Sequence, residues 1–568
     1  MGESVLLAGF DTVSAVKVVF ALSVLGSAAA MYLFVRRLLG RAAGLVAALV
    51  YVYAPYHLFD LYVRAALAEA FSCIFIPLVF WGFFELIDRP RLSALIGTAL
   101  AYAGLVLTSN AVGLLLITPP LGLMVALLIL LRLKDERSPE TGRWRLGTSI
   151  RKLISLGIPP GLGLALGIGL VAIFVFPLLL EYSYVRVDQW TGGRYAFGGD
   201  FVYLFQLFSP SWGFGASIPG PNDQAGFQLG LVPVTLFVLS FFAVPRVPEA
   251  NVRRALRFFQ GMVLVVAFLM TPASAWVWRT IPLSSFAQFP WRLGVLTTTG
   301  LAVVAGAVMV EKAMGRWVDG PKGHEKAMGQ WVNGLKGHEI DTGSNTNLLP
   351  HYSLPFSLSL VTLSALIILG SYPYLRAEVR DPKPTEGPVS LAALFRYQQS
   401  SDEMTGSTAW TRRIPGWSVL AEQVVQGGSI DTRVNYTAIP AGDVLGVHSV
   451  EMDTIHELVW VFAADDQQSV TFFIPYYPGW KAYVYEDLRE PADDLRARVG
   501  PLVAEPAIRT TEYEGWMVVP VPPGEHFLEL RFEDTPVRVV GKWISLASLL
   551  GVITLVIGRQ ILRRSGSS

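Results

Sequence analysis

Val13-Ser-Ala-Val-Lys-Val-Val-Phe-Ala-Leu-Ser-Val-Leu-Gly-Ser-Ala-Ala-Ala-Met-Tyr-Leu-Phe-Val35 carries a single charge, Lys17, and is closed by Arg36-Arg37. About 20 apolar residues in a row make a helix long enough to cross roughly 30 Å of hydrocarbon. Comparable runs recur at 42–56, 70–87, 92–109, 111–131, 153–180, 229–244, 256–270, 293–310, 354–372 and 544–558, so the sequence predicts about eleven crossings. Composition agrees. Of 568 residues, 52% are hydrophobic and only 16% charged, with a mean hydropathy of +0.46. An ordinary soluble chain is excluded. A net charge of +1 without a basic block points to no nucleic-acid partner. The one cysteine, Cys73, lies inside an apolar run and cannot form an internal disulfide, so any soluble part must rely on its own core.

Lys and Arg collect on alternate connections. One set holds Arg36, Arg37, Arg41, Arg89, Arg91, the cluster from Arg132 to Lys152, Arg246, Arg253, Arg254, Arg257, Arg559, Arg563 and Arg564; the other holds Arg64, Arg186, Arg194, Arg279 and Arg292. This asymmetry predicts that the first set is cytoplasmic, with the N-terminus and segment 373–542 outside. The N-terminus, Met1-Gly2-Glu3-Ser4, has neither the basic start nor the cleavage site of a signal peptide, and Leu6 stands where myristoylation needs Ser or Thr. After residue 310 the chain repeats itself: 311–324 is followed by a near copy at 325–338. Two Gly-rich copies cannot stack into a solenoid, so the loop 311–352 reads as a duplication in a tolerant cytoplasmic connection.

Between 373 and 542 the apolar runs shorten and alternate, as in Leu458-Val-Trp-Val-Phe-Ala463, Ser469-Val-Thr-Phe-Phe-Ile474 and His526-Phe-Leu-Glu-Leu-Arg-Phe532, with turns at Tyr477-Pro-Gly-Trp480 and Pro522-Pro-Gly-Glu525. Short strands at this spacing predict a β-sandwich. The aromatics of Phe472-Phe-Ile-Pro-Tyr-Tyr-Pro-Gly-Trp480 suit either its core or a carbohydrate platform. The expected organisation is therefore a transmembrane module at 1–372, an extracytoplasmic β-domain at 373–542, and a last helix with a cytoplasmic tail at 543–568.

The predicted crossings carry almost no charge; Glu85, the main exception, lies near a cytoplasmic edge. Pumps and symporters usually need ionisable groups near the bilayer midplane, which argues against that class. Polar residues gather instead at outer helix ends, in three clusters. The first is Tyr53-Ala-Pro-Tyr-His57-Leu-Phe-Asp60-Leu-Tyr-Val-Arg64, running on to Glu69. On a helix His57, Asp60 and Arg64 would share a face, offering an acid/base pair and a phosphate grip, or simply an Asp60–Arg64 ion pair at the interface. In the second, Phe286-Ala-Gln-Phe-Pro290-Trp291-Arg292, proline opens a helix whose N-terminus, with Arg292, suits an anion; the alternative is an arginine reaching lipid headgroups beside an interfacial tryptophan. The third is the long outer loop 181–230, with Glu181, Arg186, Asp188, Phe208-Ser-Pro-Ser-Trp-Gly213 and Pro219-Gly-Pro-Asn222-Asp223. Its mix of aromatics, amides and carboxylates fits a sugar-binding surface or a loop lying in the headgroup layer. Histidines are scattered without metal-ligand spacing, and no nucleophile elbow or phosphate loop occurs in a plausible context.

These motifs, together with Tyr476-Tyr-Pro-Gly-Trp480, resemble large bacterial membrane proteins labelled "6-pyruvoyl-tetrahydropterin synthase-related", a group similar to the GT-C glycosyltransferases and the YfhO-type lipid-glycosylating proteins. The resemblance runs over nearly the whole chain. It implies a bacterial cytoplasmic-membrane enzyme that takes a sugar from a polyprenyl-phosphate donor and passes it to an envelope glycan or lipid acceptor on the outer face. Asp60, with His57 and Glu69, would supply acid/base chemistry. Arg64, Arg292, Trp291, Arg186, Asp188, Asn222 and Asp223 would bind phosphate and substrate. A divalent metal is left open. The alternative is a non-catalytic scaffold or lipid-carrier binder on the same fold. The chain departs from the GT-C pattern at its start: the family's first helix and the acidic loop after it have no counterpart ahead of 13–35, and only Glu3 and Asp11 precede that run.

Overall fold

The computed structural model describes residues 2–135, 146–192, 195–215, 217–310, 354–376, 390–395, 406–413, 417–487 and 500–565. The tandem repeat and part of the basic loop after Lys134 lie outside them. The chain divides into two compact units, one of Met1–Val171, Ala196–Glu378 and Ser548–Ser568, the other of Ala172–Tyr195 and Val379–Ala547.

The first unit is helical. After the short α1 (Gly2–Leu7), Asp11 caps α2 (Thr12–Leu39), its carboxylate accepting from the amides of Val13 and Ser14. Gly40, at φ 95°, turns the chain into α3 (Arg41–Val52), which continues past a 45° bend as α4 (Pro55–Tyr62). Then follow α5 (Leu67–Ser72), α6 (Phe75–Asp88), α7 (Leu92–Thr108), a π-helical turn at Ala111–Ile117, α8 (Thr118–Asp135) and α9 (Leu146–Leu170). The sequence predicted one crossing over 153–180. Instead the helix breaks at Val171, just past Gly167 and Gly169, and α10 (Ala172–Leu180) belongs to the second unit with α11 (Asp188–Thr191). Returning to the first unit, α12 (Leu231–Ala243) precedes α13 (Ala250–Leu269), from which α14 (Ala275–Thr280) departs at 90°. Next come α15 (Gly294–Ala305), every residue of which is buried, and α16 (Leu354–Ser371).

Among the described residues six helical stretches are long and apolar enough to cross a membrane, or eight if each bent pair counts as one span; 92–108, 231–246 and 358–374 are shorter apolar helices. Small residues let these helices approach, as lipid gives no hydrophobic drive for helix–helix packing. A Cβ on Gly44 would stand 2.8 Å from the Tyr32 carbonyl, and one on Gly300 would stand 2.5 Å from Val263. At one end of the unit Asp88 accepts from Arg132 (2.7 Å) and Asn251 (2.8 Å), while Arg37 pairs with Glu85 (2.7 Å). That network ties α2, α6, α8 and α13 and accounts for the one carboxylate expected within an apolar run.

Among the described residues of the second unit, eight strands form two antiparallel sheets: β1 (Leu445–Met452), β2 (His456–Ala463), β8 (Gly524–Phe532), β4 (Trp480–Tyr485) and β5 (Leu502–Ala504) in the order β1-β2-β8-β4-β5, and β3 (Ser469–Pro475), β7 (Trp516–Pro520) and β6 (Arg509–Thr510) in the order β3-β7-β6. Alternate side chains of both sheets enter one core. Val459, Val461, Leu528 and Val484 come from the larger sheet, and Val470, Phe472, Met517 and Val519 from the smaller. Phe472, Ile474 and Trp480 are thus core residues, with Tyr476 and Tyr477 packed at its margin. The unit also holds α17 (Val419–Val425) and the start of α18 (Pro536–Ser565). The last crossing was expected from residue 544. The helix begins eight residues earlier, at Pro536, where Thr535 caps its first turn by accepting from the Arg538 amide (3.4 Å); Thr535 and Arg538 are also fastened to Glu181, along with Tyr477, whose hydroxyl donates to the same carboxylate (2.6 Å).

Candidate functional site

Proline at the first turn sets the start of α4, and the helix ends at Tyr62, two residues short of Arg64. The chain then takes a left-handed step at Ala65 (φ 48°), and the amide of Ala66 returns to the carbonyl of Asp60 (2.8 Å). This reversal brings Glu69 of α5 back beside Asp60. Arg64 lies between them: its Nη1 donates to Asp60 Oδ1 and to Glu69 Oε2 (2.8 Å). Tyr56 OH donates to Glu69 Oε1 (2.7 Å), so both oxygens of that carboxylate are held. Asp60 is buried, and among the described residues its Oδ2 has no hydrogen-bond partner.

The guanidinium of Arg64 lies over the Trp291 ring, 4.7 Å from its centroid. Arg292 lies over the same ring (5.9 Å) and over Phe289 (5.1 Å). Trp291 is stacked between Phe289 (5.2 Å, 9°) and Phe227 (5.7 Å, 23°), and meets Phe59 edge-on at 5.9 Å. Two cations on one aromatic stack are each favoured by the ring quadrupole, at about 0.5–2 kcal/mol per contact. Arg292 donates from Nη1 to Gln288 Oε1 (2.7 Å), while its Nε has no hydrogen-bond partner among the described residues. Gln288 stands at φ 64°, ψ −60°, and the amide of Phe289 reaches the carbonyl of Ala287 (2.7 Å) across it. This is the rare, strained form of γ-turn. Among the described residues Ala65 and Gln288 are the two non-glycine positions with positive φ. One orients Arg64 and Glu69; the other orients Arg292.

Glu69 and Arg292 face one cavity of about 240 Å³, walled by Ala66, Ser109, Val112 and Ala287. Ser109 ends α7, and the π-helical turn that follows widens the wall at Val112 and Leu116. Such turns recur at functional sites because they shift side chains off the α-helical register. Ala287 falls inside the second sequence cluster, but nothing in the sequence marked Ser109 as a wall of the site. The one available signal was Asn110 interrupting two apolar runs, and its side chain now bonds the first amide of the π turn (2.8 Å).

Of the expected site residues, Asp60, Arg64, Glu69, Trp291 and Arg292 come together. His57 does not join them: among the described residues neither ring nitrogen has a hydrogen-bond partner, and the imidazole is buried edge-on against Tyr51, 5.6 Å away. The shared helical face was never completed, because α4 stops before Arg64. Arg64 is no open phosphate grip, since two carboxylates already engage it. Pro290 opens a 3-10 turn, Pro290–Leu293, rather than a regular helical end. Arg186 and Asp188 lie in the second unit and pair with each other (2.8 and 2.6 Å), with Arg186 also bound to the Thr411 carbonyl (2.7 Å). Asn222 is exposed; Asp223 accepts from the Ile218 amide (2.7 Å) and Gln206 (3.3 Å), and burial pushes its carboxyl above the usual range. Both shape their own loop. That loop reaches the aromatic stack through Trp212, edge-on to Phe59 at 6.4 Å, and through Phe227. A divalent metal fits poorly here: the guanidinium of Arg64 takes the place between Asp60 and Glu69 that a shared cation would need. Among the described residues no three His, Cys, Asp or Glu side chains group as a metal site. The chain matches no family model, and no curated protein is detectably similar to it in sequence.

Proposed function

We propose that the chain is a GT-C-like membrane glycosyltransferase of the bacterial cytoplasmic membrane, moving a sugar from a polyprenyl-phosphate donor to an envelope glycan or lipid acceptor at the extracytoplasmic face. The observation that carries the reading is that Glu69 and Arg292 line the same small cavity. In this scheme Glu69 accepts the proton of the acceptor hydroxyl as that oxygen bonds to the sugar's anomeric carbon. The bond from that carbon to the donor phosphate breaks, and Arg292 bears the departing polyprenyl phosphate. Asp60 and Tyr56 hold Arg64 and Glu69 in place. About 240 Å³ is below the usual range for drug-sized ligands and suits a phosphate or one sugar ring. Counting both bent pairs and the three shorter apolar helices as crossings would bring the candidate spans among the described residues to eleven.

The test is transfer in proteoliposomes with a labelled polyprenyl-phosphate sugar. Glu69→Gln should lower kcat by about 10²–10⁴-fold while leaving donor binding near wild type, whereas Arg292→Ala should weaken donor binding first. Wild-type turnover by Glu69→Gln would sink the assignment. One observation favours a second reading, a carrier-binding scaffold: Arg64 is fully engaged by carboxylates. In that case wild type binds polyprenyl phosphate and transfers to no acceptor.

A further inference from the structure

A second cavity, about 1080 Å³, runs between α8 and α13. Leu123, Leu127 and Leu131 of α8 face Phe258, Met262 and Val265 of α13 across it. Trp278 of α14, the helix set at 90° to α13, closes one end. Three cations lie at the other: Lys134, Arg254 and Arg257. Arg254 is neutralised by Asp135, which it contacts through both oxygens (2.6 and 2.5 Å). Lys134 and Arg257 are exposed, and among the described residues neither has a carboxylate partner.

We propose that this groove is a specific binding site for an anionic diacyl phospholipid, its phosphate on Lys134 and Arg257 and its acyl chains between α8 and α13. Length decides the occupant. From Arg257 to Leu269 the groove follows α13 for twelve residues, about 18 Å at 1.5 Å per residue. That is close to one leaflet, half of roughly 30 Å of hydrocarbon. A chain anchored at the basic end therefore finishes where α14 turns across its path. Charge decides the headgroup, because each Lys or Arg near the surface attracts anionic lipid and leaves a zwitterionic one largely indifferent. Gly261 lines the groove, and a Cβ built on it meets nothing within 4 Å, so the space is open to an occupant. This inference does not rest on the transferase reading. It does bear on that site, since Leu116 and Ala287 line both cavities.

The experiment is native mass spectrometry of the full chain in mild detergent, titrated with phosphatidylglycerol or phosphatidylcholine of equal chain length. Wild type should retain phosphatidylglycerol at least tenfold better. Lys134→Gln with Arg257→Gln should abolish that preference. Gly261→Leu, which fills the groove without touching a charge, should cut retention of both lipids about tenfold. Equal retention of the two lipids by wild type, or wild-type retention by Gly261→Leu, would overturn the proposal.

Discussion

Gly294 shows how one missing methyl group organises the charged cavity. A Cβ there would stand 2.3 Å from Cδ2 of Tyr56, whose hydroxyl holds Glu69. Its φ of −51° is ordinary helix, so alanine would be accepted by the backbone and even favoured there by up to about 1 kcal/mol. The clash decides the sign. Gly294→Ala is expected to destabilise the protein by about 1–3 kcal/mol through overpacking and to impair transfer by shifting Tyr56 off Glu69. Thermal unfolding beside the transfer assay checks both, and an unchanged Tm with full turnover would mean that Tyr56 has room to move. The sequence placed Asp60, Arg64 and Glu69 close together because charges stand out in an apolar run. It could not reveal that Arg64 serves both carboxylates. That depends on a left-handed alanine at 65, a conformation alanine rarely adopts and no sequence pattern announces.

Among elements, strand pairs β2–β8 and β8–β4 carry a polar network on the face away from the core. Glu529 takes hydrogen bonds from Tyr485 (2.9 Å) and Arg531 (3.3 Å) and lies 3.3 Å from His456. Burial alone would raise its carboxyl, but the neighbouring His456, the bond from Tyr485 and the charge of Arg531 outweigh it and hold the group below the usual carboxylate range. A depressed folded pKa stabilises the sheet above the unfolded value, near 4.3, and that contribution is lost as pH falls through the folded value. Glu529→Gln should therefore weaken the sheet by about 1–3 kcal/mol at neutral pH and make it less sensitive to acid below about pH 4.3. Hydrogen exchange of the β2 and β8 amides across that range measures it; an unchanged acid response would assign the acid sensitivity elsewhere. The strands themselves were legible, since apolar side chains recurring at every second position line one face of a sheet and scatter around a helix. Helix ends were less so. The fastening of the first turn of α18 to Glu181 joins residues more than 350 positions apart, a pairing that no local pattern can supply.

For the whole molecule, the transferase reading needs a fixed orientation. With Cys73 replaced, single cysteines at Gly334 and Gly428 should respond oppositely to a membrane-impermeant maleimide added outside intact cells: 428 modified, 334 protected. The reverse pattern would invert the topology and move the cavity to the wrong face for a polyprenyl-phosphate donor. Apolar length marked the helices long enough to cross, and the direction expected from charge asymmetry is what this labelling decides. The bends at 45° and 90° were not foreseeable, because hydropathy measures how much of a segment is oily and not where it turns.

The fastening of Glu181 also sets an order of events at the ribosome. Its carboxylate is buried, yet Arg538 follows it by 357 residues. At about 5–20 residues per second, roughly 20–70 s pass between the emergence of one and the arrival of the other. Through that interval α10 and the turn after it are a finished half of a joint with no counterpart, available to lipid, chaperone or protease. A message interrupted anywhere before Thr535 would make the wait permanent. Such fragments should be degraded from the Glu181 side first, long after the helices before it have settled in the bilayer.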